Sequence, residues 1–357
     1  MIIYFLMYAL ILFTADSVGR TGTSLEQRKK RTAIYVTMIP VLVVALRHPS
    51  MGLDLGYGRS FGYLASFRAF SQYSLGALLR LAGWQNYEWG YILFNRILGY
   101  ISTDYQCLLI GCAIASIVPI GIMIWKNSED PVFAMIVYLG LPCVLVPFSA
   151  LRQGIAIGIC CMAYPLIQKK QRIKFILLVL FASLFHYSAF FFAIAYPLYH
   201  LKLSRTVRMA SIPALAVVFV GRYPLFAIFS KIFKKSAAIE QTGAFTLMLV
   251  FALVYAFCVM FVHTEEDKGF LNVFYMACVA QCFGGVYSIA IRVGYYFMPV
   301  LVIALPNIIR NMSNPNNQKI SRTCVMAAFA IYGLYSFYSS GKGWAMTYPY
   351  HFYWSEL

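Results

Sequence analysis

The sequence is dominated by long apolar runs that short segments rich in Lys and Arg separate. A helix needs about 20 apolar residues to cross a bilayer core about 30 Å thick, so such runs favour membrane helices. Of the 357 residues, 61% are hydrophobic and 11% are charged, which no soluble domain of this size matches. The sequence therefore predicts one multispanning domain over 1–357, an all-α, polytopic integral membrane protein with roughly 11–13 transmembrane or half-inserted helices.

The basic residues follow the loops, with the densest cluster at Arg28-Lys29-Lys30-Arg31. Lys and Arg mark cytoplasmic loops, so the net charge of +17 indicates contact with the lipid bilayer and not with nucleic acid. The run at 1–18 lacks a basic leading region and a cleavage site, which predicts a first span and not a removed signal peptide. The nine cysteines fall almost wholly in apolar runs without metal-type spacing, so neither disulfides nor a metal site is expected.

A long mixed segment at 47–103 contains no clean apolar run but many aromatics and isolated arginines, Arg80 among them. Asp54 lies here among glycines, and Glu88 precedes a short, charged helix. We predict an outer loop of interfacial helices at about 47–103. The structural alternatives are that Asp54 stabilises a turn and that Glu88 caps its helix.

Arg152 and Gln153 lie between two apolar runs, at 132–148 and 155–167. An arginine at the centre of a membrane helix costs roughly 2.5–3.5 kcal/mol, so its presence marks a candidate site. Lys169 follows about 25 Å further along a helix, most of a hydrocarbon core. If Lys169 is cytoplasmic, Arg152 faces the other side, at the turn of a helical hairpin. The alternative is a snorkelling arginine at a helix end, whose side chain only reaches towards the membrane surface.

Three further features surround this hairpin. Pro142 and Pro147 should bend the helix before the turn. Gly154 and Gly158 give the return helix a small-residue face for close contact with a neighbour. The run at 175–201 is either one long span or a re-entrant pair of half-helices. The charge rule barely separates these topologies, since 17 or 16 of the 29 Lys and Arg become cytoplasmic.

In the re-entrant topology His186 lies near the outer tip of the segment, and several polar residues share the outer face. Guanidinium groups bind phosphate oxygens bidentately and stay charged when desolvated, so three arginines and a histidine with few acids favour a lipid pyrophosphate. His186 among aromatic residues is alternatively a packing histidine. The outer-face residues are Arg47, Asp54, Glu88, Arg152, His186, Arg292 and Tyr348.

Several short motifs follow one another along the chain. They are Leu46-Arg47, Gly52-x-Asp54 with Tyr57, Glu88-x-x-Tyr91, Leu151-Arg152-Gln153-x-Ile155-Ala156, Phe185-His186-x-Ser188-Ala189 and Arg292-x-x-Tyr295-Tyr296-Phe297. With these motifs in this order, the sequence resembles the EpsG family of multispanning exopolysaccharide and O-antigen polymerases of the Wzy type. One departure is Trp89-Gly90, where the family often has a proline-glycine turn.

The resemblance implies a GT-C-like membrane glycosyltransferase in the bacterial inner membrane, with its site facing the periplasm. It would transfer a growing glycan from undecaprenyl pyrophosphate to the non-reducing end of a new lipid-linked repeat unit. It implies no metal or other cofactor, and a chain-length regulator protein as a possible partner. Catalytic residues would be His186, Glu88 and Asp54, with His186 narrowly favoured over Glu88 as the base. Pyrophosphate binding would fall to Arg47, Arg152, Gln153, Arg292, Tyr295 and Tyr348.

Two other functions fit the composition. A flippase for lipid-linked oligosaccharides would share a basic cavity but should show internal repeats, which this sequence lacks. A membrane acyltransferase would use a histidine with a nearby acid, and His186 has no acid close to it in sequence. Both features favour the polymerase.

Overall fold

The computed structural model describes residues 1–20, 24–74, 76–78, 87–232 and 245–356. Helices make up 78% of the structure, and those ranges contain no strand. The α-helices, numbered α1 to α18 in chain order, are Ile2–Arg20, Leu25–Ala45, Tyr63–Gln72, Trp89–Gly99, Tyr105–Asn127, Pro131–Leu139, Val146–Ser149, Leu151–Cys161, Tyr164–Gln168, Arg172–Ser183, Ala195–His200, Arg205–Val220, Arg222–Ile232, Phe245–Phe261, Glu265–Cys282, Ser288–Gly294, Leu301–Arg310 and Pro315–Ser339. Short 3-10 helices cover Leu53–Leu55, Pro142–Leu145, Tyr187–Ile194, Met298–Val300 and Ser340–Lys342.

Three helical stretches in the described ranges are long and apolar enough to cross a membrane, Tyr105–Asn127, Ile289–Arg310 and Pro315–Lys342. Two bent pairs raise this number to five if each pair counts as one span. The all-α membrane class is thereby confirmed. The expected 11–13 included half-inserted helices, and prolines and turns divide several apolar runs into helices too short to span a membrane alone.

Contacts divide the chain into two compact units, one of Met1–Phe190 with Arg322–Leu357 and one of Phe191–Ser321. The first unit contains most of the predicted site residues, and the second contains Arg292 and Tyr295. The expectation of a single multispanning domain stays a prediction.

The close contact between α5 and α8 in the first unit depends on two glycines of α8. A Cβ on Gly158 would lie 2.7 Å from the carbonyl oxygen of Ala115, and one on Gly154 would lie 2.9 Å from Ser116 Oγ. Side chains larger than hydrogen would therefore push α8 away from α5. The small-residue face predicted for Gly154 and Gly158 is confirmed.

The hairpin before Arg152 is sharply bent, as its prolines predict. Helix α6 ends at Leu139, a 3-10 helix follows from Pro142, and the two parts of the stretch are bent by 73°. Proline lacks an N–H and clashes with the preceding turn, so it cannot continue a regular helix. The bend brings Pro147, Phe148 and Ser149 beside the segment that follows α2.

The described part of the predicted outer loop at 47–103 holds the 3-10 helix at Leu53–Leu55 and the short helices α3 and α4. Its location at the membrane surface stays a prediction. Arg80 lies outside the described residues.

The run at 175–201 is broken in the middle. Helix α10 ends at Ser183, and a 3-10 helix begins at Tyr187. The break around Leu184 to His186 matches the expected junction of two half-helices, and the choice between a re-entrant segment and a single span stays a prediction.

The second unit packs α15 against the C-terminal end of α11. Asn272 on α15 donates hydrogen bonds to the carbonyl oxygens of Leu198 and Leu201, 3.1 and 2.8 Å away. Asn272 therefore links α15 to the C-terminal end of α11, where backbone carbonyls are available to side-chain donors. Thr264 caps α15, since its hydroxyl accepts from the backbone N–H of Asp267.

Candidate active site

The candidate site lies in the first unit, where four non-helical or helix-terminal segments meet. Each segment exposes backbone polar groups that a continuous helix would satisfy internally, so side chains and other segments must bind them. The segments are residues 46–55, the hairpin turn at 147–152, the start of α4 at Glu88 and the helix break at 184–188.

Arg47 joins the first two of these segments. Its guanidinium donates to the carbonyl oxygens of Met51, Pro147 and Phe148 at 3.0 to 3.3 Å, and also to that of Val44. The residue is 0% exposed, and its guanidinium carbon lies 5.2 Å from the centre of the Phe148 ring. Arg47 therefore uses donors from all three of its nitrogens on backbone carbonyls of the protein.

Residues 344–353 pack against the same segment. An isolated antiparallel bridge joins Arg47 to Phe352. The backbone N–H of His48 donates to the carbonyl oxygen of His351 at 2.8 Å, and that of Leu53 donates to Trp344 at 3.0 Å. This segment therefore forms one wall of the region around Arg47.

Asp54 approaches the hairpin turn through its backbone. Its N–H donates to Ser149 Oγ at 3.0 Å. Gly52 has a positive φ of 123°, and a Cβ there would lie 2.1 Å from the carbonyl oxygen of Phe148. Only glycine allows this close approach. The Asp54 carboxylate itself is exposed.

Arg152, the first charged residue of α8, forms an ion pair with Glu88 through Nη1 and Oε2. The side chain of Glu88 is 5% exposed and that of Arg152 is 22% exposed, so the pair is largely shielded from water. Arg152 also donates from Nε to the hydroxyl of Tyr63 at 3.3 Å. Its guanidinium carbon lies 4.6 Å from the centre of the Tyr87 ring, within the range of a cation–π contact.

The tyrosine partners of Arg152 are held in turn by their neighbours. Tyr87 accepts a hydrogen bond from Ser66 Oγ at 2.7 Å, and its ring stacks on that of Tyr91. Burial raises the pKa of Tyr63 to about 12, so its hydroxyl stays protonated at neutral pH. Arg152 is thus fixed between a carboxylate and two aromatic rings.

Glu88 links this pair to the helix break that contains His186. Its second oxygen, Oε1, accepts from the backbone N–H of Tyr187 at 3.2 Å. Two residues further on, the N–H of Gly90 donates to the carbonyl oxygen of Leu184 at 2.7 Å. The carboxylate of Glu88 therefore joins Arg152 to the residue directly after His186.

His186 is half-buried, and its ring interacts with Ser188. The N–H of Ser188 donates to Nδ1 at 3.3 Å, and Ser188 Oγ lies 2.7 Å from the same nitrogen.

The remaining predicted residues lie in several places. Gln153 is buried on α8 directly after Arg152. Tyr348 lies in the segment 344–353, with its ring 5.2 Å from that of Tyr338. Arg292 is exposed on α16, and the buried Tyr295 directly follows this helix, both in the second unit. The structure thus brings Asp54, Glu88, Arg152, Gln153 and His186 into one connected region of the first unit, with Arg47 beside them.

Sequence reasoning missed Tyr63 and Tyr87, which bind Arg152 from positions 89 and 65 residues earlier. The mixed segment that contains them is rich in aromatics, and no spacing singles these two out. It also missed the binding role of Ser149, whose hydroxyl accepts from the backbone N–H of Asp54, although this residue lies two positions before the Arg152 motif.

A family model for the EpsG family matches residues 30–352, nearly the whole chain. The chain belongs to the EpsG family. This is a family of Wzy-like polymerases, and the match includes every predicted site residue from Arg47 to Tyr348. Searches among curated proteins and among solved structures found no match. Both the membership in the EpsG family and the apolar helices indicate a membrane protein.

Proposed function

We propose that this chain is a polysaccharide polymerase of the bacterial inner membrane. It transfers a growing glycan from undecaprenyl pyrophosphate to the non-reducing sugar of a new lipid-linked repeat unit, at the extracytoplasmic face. The observation that carries the proposal is the environment of Arg152. Its guanidinium is held by Glu88, Tyr63 and Tyr87. The carboxylate of Glu88 also binds the helix break that contains His186.

The proposed reaction is a substitution at the anomeric carbon of the donor sugar. An acceptor hydroxyl oxygen forms the new bond to this carbon, and the bond from the carbon to the pyrophosphate oxygen breaks. The electron pair stays on the pyrophosphate, and the hydroxyl proton passes to a base. Negative charge therefore grows on the leaving group, where a preorganised cation stabilises it.

Arg152 meets this requirement without a metal ion. A guanidinium stays protonated and offers a planar fork that matches phosphate oxygens. Its partners fix the side chain in advance, so little entropy is lost when an anion binds. In this proposal Glu88 is not the base, because a proton on its carboxylate would remove the negative charge that pairs with Arg152. We assign Glu88 to positioning Arg152 and the break at 184–188.

The other predicted binding residues differ in their proposed roles. Arg47 stabilises the scaffold, because its donors are engaged by backbone carbonyls. Gln153 and Tyr348 lie in the same unit and are proposed to bind the donor. Binding of the pyrophosphate by Arg292 and Tyr295 stays part of the proposal and is tested by their own substitutions.

The test is polymerisation by purified protein supplied with lipid-linked repeat units in detergent, read as a ladder of glycan lengths. Arg152→Lys keeps the charge but loses the fork, and we expect a fall in turnover of about 10²–10³-fold, typical for one lost charge-stabilising donor. The matched control is Arg322→Lys, since Arg322 also pairs with a carboxylate, Asp130 at 2.7 Å, away from the site. Normal ladders from both variants would refute the role of Arg152.

A cellular test separates the polymerase from the alternatives. Cells lacking a polymerase should still present single repeat units at the surface, whereas cells lacking a flippase should export none. An acyltransferase defect would leave the length of the glycan unchanged. Single exported units, with ladders restored by the wild-type gene, are the expected result. A chain-length regulator, if it acts with this protein, would change the ladder distribution and not its existence.

A further inference from the structure

We infer that His186 acts in the transfer reaction as a neutral N–H donor through Nε2, held in that tautomer by Ser188, and that Asp54 receives the proton of the acceptor hydroxyl. The inference rests on the proposed function and deepens it. It departs from the sequence-based expectation that His186 is the base.

The tautomer of His186 follows from the contact with Ser188. A backbone N–H can only donate, and that of Ser188 points at Nδ1 from 3.3 Å. Nδ1 must then accept with its lone pair. A neutral imidazole has one accepting and one donating nitrogen, so the proton lies on Nε2. The hydroxyl of Ser188, 2.7 Å from Nδ1, donates to the same lone pair and reinforces this choice.

This arrangement is the reverse of what a histidine base requires. A base needs a lone pair within hydrogen-bond reach of the hydroxyl proton. In His186 the only lone pair is directed at its own chain, two residues further on. Nε2 instead carries a hydrogen, which can stabilise an oxygen on which negative charge develops. The pyrophosphate oxygen released in the reaction is such an oxygen.

The hydroxyl proton then needs another acceptor, and two carboxylates of the first unit belong to the site region. Both oxygens of Glu88 are engaged, one by Arg152 and one by the N–H of Tyr187. The carboxylate of Asp54 is exposed and accepts no hydrogen bond within the part of the chain that the structure describes. Its backbone is nevertheless fixed beside the hairpin turn by Ser149. Asp54 is therefore the group free to take a proton.

The proposed glycosyl transfer then proceeds as one substitution. The acceptor oxygen bonds to the anomeric carbon as its proton passes to Asp54, and the bond to the pyrophosphate oxygen breaks with its electron pair. The Nε2–H of His186 and the guanidinium of Arg152 bind the pyrophosphate without transferring a proton. Asp54 then releases its proton to water.

Substituting His186 by Gln or by Asn, two amides of different length, distinguishes a hydrogen-bond donor from a base at this position. Glutamine at 186 can place an N–H near the position of Nε2 but is not a base, so His186→Gln should retain turnover within about tenfold of wild type. His186→Ala and His186→Asn lack a donor at that position and should lose about 10²–10³-fold. Asp54→Asn should lose about 10²–10⁴-fold, as expected for loss of a base.

His263→Gln is the control, because His263 is an exposed histidine in the loop after α14, outside the site region. It should leave the ladders unchanged. If His186→Gln is as inactive as His186→Ala while Asp54→Asn is within a few-fold of wild type, His186 is the base and the inference is wrong. Wild-type protein that forms no ladder at all would instead refute the proposed function.

The tautomer of His186 can be measured by NMR without an assay of polymerisation. In protein labelled with ¹⁵N-histidine, two-bond proton–nitrogen correlations distinguish Nε2–H from Nδ1–H. The signal of His186 is assigned by its disappearance in His186→Gln, or in His186→Asn if the first variant does not fold. A protonated Nε2 with an unprotonated Nδ1 supports the inference at neutral pH, and the opposite pattern overturns it.

Discussion

Arg47 gives the sharpest test of whether a predicted binding residue touches the substrate or only shapes the site. We expect Arg47→Lys to destabilise the protein strongly. A lysine keeps the charge, but its single ammonium group cannot reach the carbonyl of Met51 and those of Pro147 and Phe148 together. The tie between the end of α2 and the hairpin turn is then partly lost.

The magnitude follows from the contacts. Arg47 is 0% exposed and donates to four backbone carbonyls, those of Val44, Met51, Pro147 and Phe148. A hydrogen bond from a charged group is worth about 1.5–3 kcal/mol, so losing two of the four lowers the free energy of unfolding by about 3–6 kcal/mol. The control Arg322→Lys changes a pair whose partners are 42% and 29% exposed, and should cost about 0–1 kcal/mol.

The assay is thermal unfolding in detergent combined with the polymerisation ladder. Arg47→Lys should unfold well below wild type, whereas Arg152→Lys should unfold near it and fail in turnover. An Arg47→Lys protein with wild-type thermal stability but a raised KM for the lipid-linked donor would show that the guanidinium reaches the substrate. The scaffold role would then be wrong.

Three further predictions concern other parts of the first unit and the topology. Gly90→Ala should reduce turnover at near-normal expression, because its Cβ would lie 2.7 Å from the carbonyl oxygen of Leu184 and push Glu88 from the break; a wild-type ladder would contradict this. Burial, then the charge of His351, lower the pKa of His48 below its usual 6.5. The unfolded state therefore takes up a proton first, and stability should fall as pH drops below about 6.5. His48→Gln should flatten that dependence in melting curves at pH 5 to 7.5, and an unchanged slope would refute it. Arg205→Cys, in a background without native cysteines, should resist an impermeant thiol reagent from outside; labelling would exclude the re-entrant arrangement of 175–201.

Local sequence patterns predicted what local backbone chemistry controls. The bend at Pro142 and Pro147 follows from the missing proline N–H, and the contact of α8 with α5 follows from the absence of a Cβ at Gly154 and Gly158. The helical membrane class follows from the apolar runs. Each of these features depends on residues that are close together in the sequence.

The roles of the charged residues could not be read in the same way. Arg47 and Arg152 both stand beside apolar runs, and the sequence gives them the same binding role. Only the fold shows that Arg47 meets carbonyls from a segment about 100 residues later, whereas Arg152 meets Glu88 and two tyrosines. The direction of the His186 ring likewise depends on a turn of three residues whose dihedral angles no spacing encodes.

The packing of residues 344–353 against the end of α2 has a consequence for biosynthesis. The two sides of this contact are separated by about 300 residues, so a ribosome must synthesise about 300 residues after Arg47 before the wall around it can form. A nascent chain inserted in the membrane should thus remain inactive until residues 344–353 have folded back against the end of α2. Products that stop before Trp344 should accumulate in the membrane without competing for lipid-linked sugars.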